Sequence, residues 1–190
     1  MSRPASPRFR DATADDVAAV AELGRRTFSA AFAADNDPDD FAAYLDEAFS
    51  HEQIEREIAD PGSTFVLAFA DTDSARADQP DAEGPPIAYL KLRIAEPPPD
   101  SAHRARLPVE LQRIYVTPEH MGEGIGGELL RIALDRAGRN RHDLIWLGVW
   151  EHNPGAQRLY RRHGFEVIGD QIFMMGDDPQ RDLVMARELG

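Results

Sequence analysis

The chain has 190 residues, enough to bury a sizeable core, and contains no cysteine. Its 34 acidic side chains outnumber 21 basic ones, for a net charge of −13. That balance argues against nucleic-acid binding, and the missing thiols exclude disulfides, thiolate nucleophiles and cysteine-ligated metals. Most of the acids read as a solvated surface, with a weak preference for a cationic partner. No apolar run reaches the ~18 residues of a membrane span. The opening Met-Ser-Arg-Pro-Ala-Ser-Pro has no apolar leader core. The expectation is a cytoplasmic protein, with 1–7 a flexible lead-in and 8–190 one domain. Lys91 is the sole lysine.

Arg8–Asp11 suits a short first strand. Thr13 opens a helix running to about Ala33, with Asp16 in the return position of a capping box. Val17, Val20, Ala21 and Phe28 give it an apolar stripe, and Asp35-Asn-Asp-Pro38 breaks it. A second helix carries Phe41, Tyr44, Leu45 and Phe49 on one face. Ser50 caps a third, with Ile54 and Ile58, which ends at Asp60-Pro-Gly62. Ser63–Ala70 and Ile87–Ala95 read as strands. The Pro- and Asp-rich segment 71–86 between them reads as a mobile loop, and 96–108, with three consecutive prolines, as another.

Glu110-Leu-Gln-Arg-Ile-Tyr-Val116 then reads as a buried strand that Pro118 stops, because proline has no N–H to donate. Four glycines follow within Gly122–Gly127, and a helix over 124–138 with Ile125, Leu129, Ile132 and Ala133 on one face. No Ser, Thr, Asp or Asn stands at its cap position. Its first N–H groups therefore lack a side-chain acceptor, and with the helix dipole they suit a phosphate. The plainer reading is a tight strand-to-helix turn.

Leu144–Trp150 is almost wholly apolar, as in a central strand covered on both faces. Trp146 and Trp150 share one of its faces. Asn153 caps a helix with Pro154 first, Ala156, Leu159, Tyr160 and His163 on one face, and Gly164 at its end. Phe165–Gly169 and Gln171–Met175 are strand material, 176–180 a turn, and Asp182–Glu188 the last strand. Helices first, then an antiparallel meander, then a strand-helix-strand core and a hairpin predict a mixed α/β sheet flanked by helices in a single domain. The hairpin offers an edge to a second copy, hence a homodimer.

Two segments, Met121-Gly-Glu-Gly-Ile-Gly126 and Asn153 to Phe165, together resemble the GCN5-related N-acetyltransferase (GNAT) superfamily. Its phosphate loop runs Gln/Arg-x-x-Gly-x-Gly/Ala. Its second motif places an Asn, an Ala three on, Leu-Tyr and Gly-Phe, as Asn153, Ala156, Leu159-Tyr160 and Gly164-Phe165 do here. The likeness spans about 8–188. Within it, Glu110–Val116, Trp146–Glu151 and Phe173–Leu183 are similar to the PaiA-type spermidine/spermine acetyltransferases. Two departures are Met121, in place of Gln or Arg, and Glu123, a carboxylate beside an expected diphosphate.

The resemblance implies an acetyl-CoA-dependent N-acetyltransferase acting on a small primary amine such as a polyamine. Ile114, Tyr115, Val116, the loop Met121, Gly122, Glu123, Gly124, Ile125, Gly126 and Gly127, and Asn153, Ala156 and Tyr160 would hold the cofactor. A backbone N–H near Tyr115 or Val116 would meet the oxyanion. Tyr160 would protonate the leaving thiolate, and Glu110 or Glu151 would take the ammonium proton. Tyr160 also reads as a core tyrosine, Asn153 as a mere cap, and Glu110 as a strand-edge charge, with Glu151 open to the same reading. The six histidines show no His-Glu-x-x-His spacing, and no metal is expected.

Two rivals are a dinucleotide-binding oxidoreductase, because Gly122-x-Gly124-x-x-Gly127 matches the Rossmann fingerprint, and a non-catalytic acyl-CoA-binding module. Pro118–Met121, which separates strand from glycines, opposes the first.

Overall fold

The computed structural model describes residues 7–70, 84–97, 105–176 and 178–190. Twelve main elements follow one another. They are β1 (Arg8–Asp11), α1 (Val17–Phe32), α2 (Pro38–Ala48), α3 (His51–Ala59), β2 (Ser63–Phe69), β3 (Ala88–Arg93) and β4 (Pro108–Val116), then α4 (Ile125–Arg139), β5 (Leu144–Trp150), α5 (Pro154–Arg162), β6 (Glu166–Met175) and β7 (Asp178–Glu188). The strands form one sheet ordered β1-β2-β3-β4-β5-β7-β6. Every neighbouring pair is antiparallel except β4 with β5. This is the mixed α/β sheet the element order predicts. Except for Pro7, the lead-in expected over 1–7 lies outside the described residues, as do 71–83 and 98–104 of the two expected loops.

Several boundaries differ from the sequence reading. A single 3-10 turn, Ala14–Asp16, precedes α1. The Asp16 carboxylate accepts the Thr13 N–H at 2.7 Å and both Arg10 guanidinium nitrogens at 2.8 Å. The Arg10 hydrogen bonds hold its carboxyl down at about 2. β4 starts two residues early, since Pro108 can take the first strand position, where no N–H is needed. β6 is one strand where two segments were expected, because Asp170 pairs with Leu183 in unbroken register; its bulge lies earlier, between Val167 and Gly169. Gly176, at φ +59°, turns the chain tightly enough for β7 to begin at Asp178.

Each face of the sheet carries its own core. α4 and α5 cover one with Leu129, Leu130, Ala133 and Tyr160, against Leu90, Leu111, Ile145 and Leu147. α1, α2 and α3 cover the other with Val20, Phe28, Phe41, Phe49 and Ile54, against Phe65, Leu67 and Tyr89. Full burial of a side chain such as Ile54 stabilises by about 1.5–3 kcal/mol. Under α3 that second core encloses an ionic group, in which Glu57 Oε2 faces Lys91 Nζ at 2.9 Å and Arg113 Nη1 at 2.6 Å.

Candidate active site

The parallel ladder between β4 and β5 holds for only three pairs, ending at Glu110 opposite Trp146. Two residues later β4 bulges. Leu92 faces Leu111 and Lys91 faces Arg113, which leaves Gln112 as the extra residue. A bulge bends its strand, so β4 veers from β5 and the sheet splays open at the strands' carboxyl ends. That is where open α/β sheets take ligands.

The register decides which backbone groups line the opening. Thr117 N–H donates to Ile87 O at 2.9 Å, toward β3. Successive residues alternate sides, so the Val116 and Ile114 N–H groups point into the splay and that of Tyr115 points to β3. Of the two oxyanion donors expected from sequence, Val116 is the one turned into the gap. The Tyr115 ring lies on the α1–α3 side, 5.4 Å from Tyr89.

Above the end of β4 the chain makes a 3-10 turn, Pro118–His120, that Glu119 ties to Arg26 of α1. Gly122 and Gly124 then take φ +85° and +86°, a left-handed backbone that other residues adopt only under strain. Gly124 is the N-cap of α4, and no side chain caps it. The first helical bond runs from Glu128 N to Gly124 O, so the amides of the first turn stay open. Nothing lies within 4 Å of where a Cβ on Gly122 or Gly124 would be. A Cβ on Gly126 would stand 3.8 Å from Val116 Cγ2 and 3.7 Å from Leu159 Cδ2. The amide-rich turn is thus wedged between the end of β4 and α5, at the mouth of the splay. Met121 is 61% exposed, and Glu123 is exposed too.

On the far bank, Asn153 Oδ1 accepts the Ala156 N–H at 3.0 Å and caps α5. Gln157, not anticipated from sequence, ties α5 to the end of β5 by donating to Glu151 O at 2.9 Å. Tyr160 is buried with its ring 5.8 Å from Phe165. Burial pushes its phenol well up, so it stays protonated. Its hydroxyl has no hydrogen-bond partner among the described residues; the tyrosine hydroxyl sealed from solvent without one is that of Tyr89.

The two expected carboxylate bases are already engaged. Glu110 is buried, not at a strand edge, and bonded to Arg93 Nε. Glu151 Oε2 faces Arg181 Nη1 at 3.3 Å. Trp146 is core and donates to Ala95 O at 2.9 Å. Trp150 is only partly covered and meets Phe32 at 5.8 Å. A separate cleft of about 650 Å³, lined in part by Glu22, Arg25, Arg26 and Asp46, opens beside α1 and touches none of the splay residues. Among the described residues no cluster of three or more His, Asp or Glu is placed to hold a metal. No described helix is long and apolar enough to cross a membrane.

Residues 25–165 match the family model described as Acetyltransferase (GNAT) family. The chain belongs to the GNAT family. An N-acetyltransferase of Lactobacillus delbrueckii subsp. lactis is 30% identical over 167 residues, 88% of each chain. The streptothricin acetyltransferase of Streptomyces lavendulae is 32% identical over 165 residues, 85% of this chain and 82% of that one. The crystal structure of the PaiA N-acetyltransferase from Thermoplasma acidophilum, in complex with coenzyme A, superposes with TM-score 0.73 at 21% identity, covering 96% and 99%. This GNAT chain is therefore an acetyl-CoA-dependent N-acetyltransferase. The dinucleotide reading falls with it. One parallel pair in seven strands is not a doubly wound sheet, and a 3-10 turn separates β4 from the glycines.

Proposed function

We propose that this enzyme acetylates a small primary amine of the polyamine class by direct attack within a ternary complex. The observation that carries the reading is the uncapped α4 N-terminus at the mouth of the β4–β5 splay. Amides of 122–127 would hold the diphosphate, and the Ile114 and Val116 backbone would hold the pantetheine arm along the open edge of β4. Val116 N–H would steady the oxyanion, positioned before the reaction begins. Tyr160 would protonate the departing sulfur. Asn153 and Ala156 would flank that arm from α5. A direct proton path to Glu110 or Glu151 competes with their guanidinium partners, so either would act through water.

The PaiA-like segments and the net charge of −13 support a polycationic acceptor. A cytoplasmic location goes with this reading. So does a homodimer through the β6 edge, where Val167, Ile172 and Met174 are exposed; light scattering on the purified protein tests it.

Acetyl-CoA is supplied with spermidine, spermine, streptothricin and an alanyl peptide, and CoA release is followed. Release with the polyamines at the highest kcat/KM is the expected result. Preference for streptothricin or the peptide moves the substrate class. No release with any amine, together with no CoA binding, overturns the reading.

A further inference from the structure

The acceptor side of the splay holds a carboxylate, Asp182, that lies in the segment Phe173–Leu183 but was given no role from sequence. β5 turns Trp146, Gly148 and Trp150 to one face of the sheet, where Trp146 packs with Ile168 and Val184 and Trp150 meets Phe32 of α1, and at Gly148 that row is interrupted. A Cβ there would stand 2.6 Å from Gln171 Nε2 and 3.1 Å from Asp182 Oδ2. An amide and a carboxylate thus fill the place where a β5 side chain would be. The register agrees, since Asp182 lies opposite Trp150 on one side and Gln171 on the other. Aromatic rings stand around them. Phe32 meets Trp150 at 5.8 Å, and Tyr44 of α2 meets Phe173 at 5.5 Å.

Asp182 differs from its neighbours in having no cation. Glu57, Glu110 and Glu151 each face an arginine. Among the described residues, no Arg or Lys pairs with Asp182. Burial pushes its carboxyl up to about 6, and the hydrogen bond from Gln171 offsets this only in part. Its charge acts on the Tyr44 phenol of α2, the Gln171 amide of β6 bonds to it, and Gly148 and Trp150 of β5 lie beside it in the register, none charged at neutral pH. Tyr44 is itself raised, chiefly by burial, with the Asp182 charge contributing. A half-buried carboxylate ringed by aromatic faces and lacking a counter-ion suits an alkylammonium.

We propose that Asp182, rather than Glu110 or Glu151 through water, receives the acceptor's ammonium over Gly148 and takes its proton. This rests on the acetyl-transfer reading above but not on the polyamine class. R–NH3+ gives a proton to Asp182. The freed nitrogen lone pair forms a C–N bond with the thioester carbonyl carbon. As the tetrahedral adduct collapses, the C–S bond breaks and the sulfur takes the Tyr160 proton. The new amide nitrogen returns one proton to Tyr160, and Asp182 releases its own to water. The products are the acetamide, CoA thiol and one proton.

The test compares wild type, Asp182→Asn and Asp182→Glu with butylamine and spermidine. It measures kcat/KM by CoA release from about pH 5.5 to 9.5, and binding of CoA, and of each amine to the CoA complex, by calorimetry. In wild type, kcat/KM rises through about pH 6 and then stays level until the amine's own pKa of about 10. Asp182→Asn must capture free amine, so its profile climbs tenfold per pH unit and lies about a thousandfold lower at pH 7. CoA affinity stays within about twofold in both variants, and Asp182→Glu keeps the plateau. An Asn variant that retains the wild-type plateau overturns the proposal and leaves the polyamine reading intact. Turnover of butylamine but not spermidine, with the plateau lost in Asp182→Asn, does the reverse. If wild type neither binds nor acetylates either amine, both fall.

Discussion

Lys91 Nζ, buried beneath α3, lies 2.9 Å from Oε2 of the half-buried Glu57 on that helix. Because Arg113 reaches the same carboxylate, one anion serves two cations. Glu57→Gln leaves two cations unpaired and is expected to destabilise by about 3–5 kcal/mol. Lys91→Met keeps the Glu57–Arg113 pair and should stay within about 1 kcal/mol of wild type. Urea denaturation of the two variants checks the asymmetry. Equal losses would show that Lys91 is the essential partner.

The same group makes stability depend on alkaline pH. Burial first, then repulsion from Arg113, brings the Lys91 ammonium down to about 8 from its ordinary 10.5, despite Glu57. Between those values the unfolded chain binds more protons than the folded one. Unfolding free energy should therefore rise with pH across that window. Lys91→Met should remove the rise, which urea midpoints at about pH 8 and 10 would show.

Tyr160→Phe deletes a hydroxyl that has no hydrogen-bond partner among the described residues and leaves the ring on Phe165. The expected result is a fall in kcat of about a hundredfold or more, with CoA affinity and melting temperature close to wild type. Unchanged turnover would remove Tyr160 from the chemistry without disturbing the family assignment.

Much of this site was legible because its signals are local. The glycine run, the missing cap before Ile125 and the Asn153-Pro154 helix start each lie within a few residues, and the structure has all three. Glu57, Lys91 and Arg113 are scattered along the chain, and only the fold brings them together. Gln112 gives no local sign that it will bulge. Asp182 and Gln171 converge on Gly148 from separate strands. One clue was present, since a glycine inside an otherwise apolar strand signals a close approach. The gap left at Asp170 between two strand segments closes because its backbone pairs with Leu183 of β7, a partner remote in sequence.

Met121→Arg restores the basic residue common at this loop position. Met121 is mostly exposed, so the change costs little in folding. A guanidinium beside the first turn of α4 should lower the CoA Kd about three- to tenfold at low salt, and less as salt is raised. Calorimetric titration with CoA at two ionic strengths checks it. An unchanged Kd at low salt would mean that position 121 does not face the diphosphate.

Gly124→Ala separates the backbone's contribution from that of space. The residue stands at φ +86°, where alanine costs about 1–2 kcal/mol. Nothing lies within 4 Å of the new methyl, so no clash adds to that cost in the unliganded protein. The methyl would instead project where the diphosphate is expected, and relief of the strain would tilt the open amides. Stability should fall modestly while CoA affinity falls about tenfold or more, a loss that appears only with the cofactor bound and comes on top of the strain. Thermal melts with and without CoA measure both at once, because a bound ligand raises the melting temperature in proportion to its affinity. If the variant melts lower but gains the same CoA-induced shift as wild type, the diphosphate does not rest on this turn, and anion binding must be sought elsewhere along α4 and α5.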